Sequence, residues 1–188
     1  MDTLLLTLLA CLWGETGDRS QMLTAAFARR WPGRLTVILG LVVAAAANAA
    51  LSAWAGSFIA TSIGVGARGL FLALALLAAS VAMLMPVKTP DLLVRWRVGA
   101  FGTSALGLFI LGFGESAQFL IAGMATARAE PSWAAVGGAT GVILACLLPL
   151  ICGPDIFSRL PLRMVRRTGA AIFFLIGSAM ALAALGLL

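Results

Sequence analysis

Histidine is missing from this sequence, and charge is scarce: 13 basic and 7 acidic side chains among 188 residues, or 11%. Imidazole is a favoured ligand for zinc, nickel and copper, so its absence directs any metal chemistry toward oxygen donors, which suit magnesium, calcium and manganese. With no histidine, no activated serine or cysteine arrangement and no nucleotide motif in loops this short, an enzyme is not expected. A Walker sequence is also missing, which argues against ATP hydrolysis within the chain. Cys11, Cys146 and Cys152 lie in apolar segments without C-x-x-C or C-x-x-C-H spacing. Redox relays and haem attachment are therefore unsupported, and the thiols read as buried and inert. Amides are nearly as rare as histidine: Asn48 is the one asparagine, and Gln21 and Gln118 are the two glutamines.

What fills the chain is apolar: 62% of residues are hydrophobic and the mean hydropathy is +1.07. Soluble domains average about 45–50% apolar and about 25% charged residues, so the composition is that of an all-α polytopic membrane protein. At about 20 residues per span plus short loops, the length accommodates six transmembrane helices. They are expected over Thr3–Arg29, Leu35–Thr61, Gly69–Met85, Gly99–Ala127, Trp133–Cys152 and Thr168–Leu188. The apolar start lacks a positive n-region, since residue 2 is Asp, and has no A-x-A-like cleavage site. It reads as the beginning of a retained helix rather than a signal peptide. Trp31, Trp96 and Trp133 fall at interfacial depth.

The net charge of +6 does not indicate nucleic acid, because the basic residues sit in short loops and form no contiguous face. Loops after the first, third and fifth spans hold Arg29, Arg30, Arg34, Lys88, Arg95, Arg97, Arg159, Arg163, Arg166 and Arg167, ten in all. The opposite side holds Arg68 and Arg128. Under the positive-inside rule this puts those three loops in the cytoplasm and both termini outside, as in a bacterial inner membrane protein.

Against this background the segment Gly14-Glu15-Thr16-Gly17-Asp18-Arg19-Ser20-Gln21 is anomalous. It places three ionisable side chains at the middle of the first span, where each costs roughly 2.5–3.5 kcal/mol on insertion scales. Setting Gln118 against Gln21, an offset of 118 − 21 = 97, aligns Gly114-Glu115-Ser116-Ala117-Gln118 with Gly17-Asp18-Arg19-Ser20-Gln21. Two three-helix repeats are expected, residues 1–86 and 99–188, joined by a cytoplasmic linker over 87–98. An odd number of spans per repeat inverts the second relative to the first, a common transporter design with its site at the midplane.

On a continuous helix, Glu15, Asp18 and Arg19 share a face, and Gly14 and Gly17, like Gly112 and Gly114, permit close approach. If the halves face one another, Glu15, Asp18 and Glu115 converge as metal ligands. Gln21 and Gln118 are further candidates to bind the cation, and Gly17, Arg19, Ser20, Gly114, Ser116 and Asn48 support them. Asn48 reads more readily as interhelical glue than as a ligand. Three carboxylates and one arginine carry a formal charge of −2, which a divalent cation neutralises. Removing carboxylates from water favours their protonated form, so protons can replace the metal.

The stretch Glu15–Gln21 resembles the signature E-x-G-D-[KR]-[ST]-Q of the GDT-type Mn²⁺/Ca²⁺ transporter family. That resemblance implies six helices in two inverted repeats, one motif in each, and exchange of a divalent cation for protons. Mn²⁺ is the leading ion and Ca²⁺ the next, as a transported substrate rather than a cofactor. The second copy departs from the pattern: Gly112 stands for Glu, Glu115 for Asp, Ser116 for a base and Ala117 for a hydroxyl residue. The implied partners are lipid, the cation and protons, and no nucleic acid. Two other readings carry different tests. A LysE-like exporter of small amino acids would use the acids for an ammonium group and Arg19 for a carboxylate. A non-transporting membrane scaffold would tolerate Glu115→Gln.

Overall fold

The computed structural model describes residues 1–159 and 161–187, without side chains for 152–159. Every regular element among them is helical: α1 (Asp2–Glu15), α2 (Arg19–Arg30), α3 (Arg34–Ser62), α4 (Val65–Leu84), α5 (Gly99–Gly112), α6 (Ser116–Arg128), α7 (Pro131–Arg159) and α8 (Leu162–Ala184). The all-α membrane class stands. Four helices, α3, α4, α7 and α8, are long and apolar enough to cross a bilayer, and the pair α5 and α6, bent by 67°, adds a fifth if it is taken as one broken span. Side chains such as Trp54, Phe58, Leu74 and Ile176 point outward from these helices, as a lipid-facing surface requires.

Two expected helices are corrected. Neither Thr3–Arg29 nor Gly99–Ala127 is continuous. Each is broken at its polar motif, because Gly17 (φ 78°) and Gly114 (φ 81°) adopt the left-handed conformation, which L side chains enter only at a cost. The third and sixth helices also begin earlier than expected, at Val65 and Leu162. Arg68 and Gly69 thus lie inside α4 rather than before it, and Arg166 lies inside α8 rather than in a loop. At the other end of the second-repeat loop, α7 runs through Gly153-Pro154-Asp155 to Arg159. Proline in the first turns of a new helix is tolerated, but here the chain carries Pro149 and Pro154 within one helix.

The helices pack mainly as α1 against α7, α5 against α3, α4 against α8, and α3 against both α6 and α7. Glycine sets the first two distances. A Cβ on Gly137 would meet the carbonyl of Leu4, and one on Gly40 would lie 3.0 Å from that of Phe101. Close backbone approach of this kind replaces the hydrophobic driving force that lipid removes. These glycines are 97 residues apart, and so are their partners. The same offset relates Thr7 Oγ1 donating to the Thr3 carbonyl (2.6 Å) and Ser104 Oγ donating to that of Ala100 (2.8 Å). Residues 85–98 have no regular helix. Arg30 ties them to the end of α2 by donating to the carbonyls of Leu92, Leu93 and Val94.

Candidate functional site

The two breaks are built alike. Asp18 occupies the cap position of α2, where its Oδ1 accepts from the Arg19 amide (2.8 Å). Glu115 occupies the cap position of α6 without that bond. Three residues on, Gln21 Oε1 accepts from the Gly17 amide (2.7 Å) and Gln118 Oε1 from the Gly114 amide (2.8 Å). This is a variant of the capping box, with the glutamine reaching one residue further back. The far end of each amide anchors to a neighbouring helix: Gln21 Nε2 donates to the Ala145 carbonyl, and Gln118 Nε2 to Asn48 Oδ1 (3.0 Å). Both glutamines therefore brace the breaks, and Gln118 also lines a small cavity with Glu15 and Glu115.

Breaking the helices lets the acids of both meet. Carboxylate oxygens of Glu15, Asp18 and Glu115 lie within 4.8 Å of one another. Oxygens bound about 2.3–2.6 Å from a shared calcium cannot be further apart than about 5 Å, so the three can hold one hard cation. Glu15 is 2% exposed, and neither of its oxygens has a hydrogen-bond partner. An unsatisfied buried polar group costs about 1–3 kcal/mol, and more if charged; a cation or a proton removes that cost.

Glu115 is better provided for. Ser20 Oγ donates to its Oε2 (2.6 Å), and Arg19 Nη2 lies 3.3 Å from its Oε1. The Arg19 contact is an ion pair by distance but is not aligned as a hydrogen bond, so Oε1 still counts among the unpartnered oxygens. Arg19 is 42% exposed, which leaves it room to swing toward water. Ser116 opens α6 and is half-buried. Its hydroxyl would lie 3.9 Å from a Cβ on Gly14.

Arg166 is a site residue that its assignment to a loop concealed. It is buried on α8, with Nη1 3.8 Å from Asp18 Oδ1 and donating to the Gly17 carbonyl (3.3 Å). Nε and Nη2 donate to the carbonyls of Met83, Ala82 and Met85 at the end of α4. The buried face of α8 runs Arg166, Gly169, Ala170, Phe173, Gly177, so extending the small-residue stripe of the last span back one turn reaches it. With Arg166 included, three acids face two arginines, a formal charge of 2 − 3 = −1 rather than −2.

Two cavities border the acids. One of about 290 Å³ is lined by Asp18, Arg19, Glu115 and Arg166 together with residues 85–88. The other, about 30 Å³, is lined by Glu15, Glu115, Asn48 and Gln118 among apolar side chains and has room for a water molecule. Glu115 borders both. Cys11 and Cys146 are buried free thiols, and Cys152 lies among the side chains not described.

Apolar spans, discontinuous helices and a cluster of three acids, one of them buried without a partner, bordered by two cavities are the attributes of an integral membrane protein that handles cations. The family is specific: the chain belongs to the divalent cation/proton antiporter family GDT1, whose sequence model matches residues 3–91 and again 100–187. It is thus a transporter rather than an enzyme, and its divalent cation is a transported substrate. The chain is 26% identical over 182 residues to a Vibrio cholerae serotype O1 protein named "Putative manganese exporter", covering 96% of this chain and 91% of that one. No solved structure matches the chain.

Proposed function

We propose that this protein exports a divalent cation, Mn²⁺ first and Ca²⁺ next, across a bacterial inner membrane in exchange for protons. Glu15, Asp18 and Glu115 bind the ion at the midplane. Gln21 and Gln118 hold the broken helices in place beside it, and Arg19 serves as counterion of the empty site. The observation that carries this reading is the convergence of three carboxylates from two helix breaks within 4.8 Å, with Glu15 unpartnered. Their all-oxygen character suits Mn²⁺ and Ca²⁺, and the name of the Vibrio relative favours manganese.

The architecture proposed with it has six spans in two inverted repeats, 1–86 and 99–188, α1 with α2 forming the first span and both termini outside. Contacts that recur at an offset of 97 residues and a family model that matches twice support that duplication. In this topology residues 85–88 are cytoplasmic, so the larger cavity opens inward, and the smaller one lies in the middle of the bundle between α3, α5 and α6. Protons and the ion compete for the same oxygens, so loading from one side and protonation from the other yields antiport. In proteoliposomes, Glu15→Gln or Asp18→Asn is expected to abolish Mn²⁺-dependent proton movement. Unchanged exchange in both variants would overturn the site.

A further inference from the structure

Among the differences between the two breaks is a paired exchange of residues that the transport reading does not explain. At the offset of 97, Glu15 corresponds to Gly112, and Asn48 on α3 corresponds to Ala145 on α7. By that correspondence the first repeat has a long acid and the second repeat an alanine where their counterparts are glycine and an amide. The space is shared in the same sense. A Cβ built on Gly112 would lie 2.6 Å from Asn48 Nδ2, closer than side-chain atoms pack. Asn48 is held there from both ends: Nδ2 donates to the Phe109 carbonyl (3.1 Å) and Oδ1 accepts from Gln118 Nε2 (3.0 Å). At the first break the corresponding amide, Gln21 Nε2, reaches a backbone carbonyl at Ala145 instead, and Glu15 occupies the interior.

We infer that Asn48 and Gly112 form a matched pair that fixes the site at three carboxylates: the Asn48 amide occupies the place a fourth acid, at position 112, would need. Asn48 is then a specificity-determining residue acting through charge number. It replaces an ionisable group by a neutral one at the edge of the smaller cavity, which Asn48, Gly112 and both glutamates line. It leaves a formal charge of −1 with both arginines present, where a fourth acid would give −2. This rests on the transport reading for its consequence and on packing alone for its existence.

A double-mutant cycle tests it on the purified full chain in detergent. Gly112→Glu alone is expected to lower the melting temperature, because its side chain collides with the amide. Asn48→Ala alone lowers it too, by removing two hydrogen bonds. The double variant should be more stable than the sum of the two changes predicts. Gly112→Ala paired with Asn48→Ala repeats the cycle with a Cβ only, should the larger side chain prevent folding. The second readout is proton release on adding MnCl₂ at fixed pH. The Gly112→Glu/Asn48→Ala variant should release more protons per Mn²⁺ bound than the wild type and bind Mn²⁺ about tenfold more tightly, as affinity follows ligand charge. Additive melting shifts in both cycles would overturn the matched pair, and unchanged proton release would overturn its role in charge number. A wild type that neither binds Mn²⁺ nor releases protons would instead count against the transport reading, with the metal-free melting cycle judged by itself.

Discussion

Glu15 and Asp18 are three residues apart, close enough to meet on a helix or across the turn at Gly17, and the break in the chain is what lets Glu115 join them. The sequence made both improbable as lipid-facing residues, and Glu115 became their partner once the two glutamines were set in register. Geometry brings all three together. What sequence reasoning missed was Arg166, since an arginine near the end of a span reads as a topology signal until the burial of its face is known. Arg166→Met would leave the carbonyls of Ala82, Met83 and Met85 without their charged donor. Hydrogen bonds to charged groups contribute about 1.5–3 kcal/mol each in net terms, so a loss of at least about 2 kcal/mol is expected by thermal unfolding. Arg166→Lys should recover only part of it, because an ammonium lacks the planar fork. Competition between protons and cation at the acids carries a sign: carboxylates must be ionised to bind metal, so the Mn²⁺ concentration for half-maximal transport should rise as pH falls. A half-saturation constant that is flat with pH would separate proton coupling from these acids.

At the scale of elements, the decisive feature is the pair of breaks. A hydropathy reading passes through the second break, where α5 and α6 are both apolar, and at the first the polar residues look like cargo on one long helix that ends at Arg29 and Arg30. The signal was nevertheless present as a cap residue with glutamine three positions later, Asp18 with Gln21 and Glu115 with Gln118, each preceded by glycine. Those same residues appear to sequence inspection as ligands, and the structure gives the glutamines a second duty in stopping and restarting helices. Gly114→Ala tests the backbone component alone, because a Cβ there meets nothing; a loss of about 1–2 kcal/mol is expected from the left-handed conformation. Gly17→Ala should cost more, since its Cβ would also press on Arg166 Cδ at 3.2 Å. Equal losses would indicate that Arg166 yields freely. The linker also holds more structure than a boundary suggests: Leu93 reaches Gly107 and Phe27, which anchors its middle to the bundle.

For the whole molecule, membrane class and helical content followed from composition, and the pairing of α1 with α7 and α5 with α3 could not, because it depends on where glycines let backbones touch. Arg166 is buried against the end of α4 and drops out of the charge count behind the proposed orientation, which then sets nine basic residues against two. In the proposed topology, a cysteine introduced at Asp2 should react with a membrane-impermeant maleimide from outside intact cells, and one at Thr89 only after permeabilisation. The reverse pattern would invert the bundle. Direction of transport then follows from orientation and gradient together. The central claim is that a proton gradient drives a divalent cation through Glu15, Asp18 and Glu115. The most direct measurement is Mn²⁺ flux in proteoliposomes of known orientation under an imposed pH gradient. Mn²⁺ should move toward the side with the higher proton concentration, reverse direction when the gradient is reversed, and fall to the level of empty vesicles in Glu15→Gln. Flux that ignores the gradient, or that persists in Glu15→Gln, would contradict it.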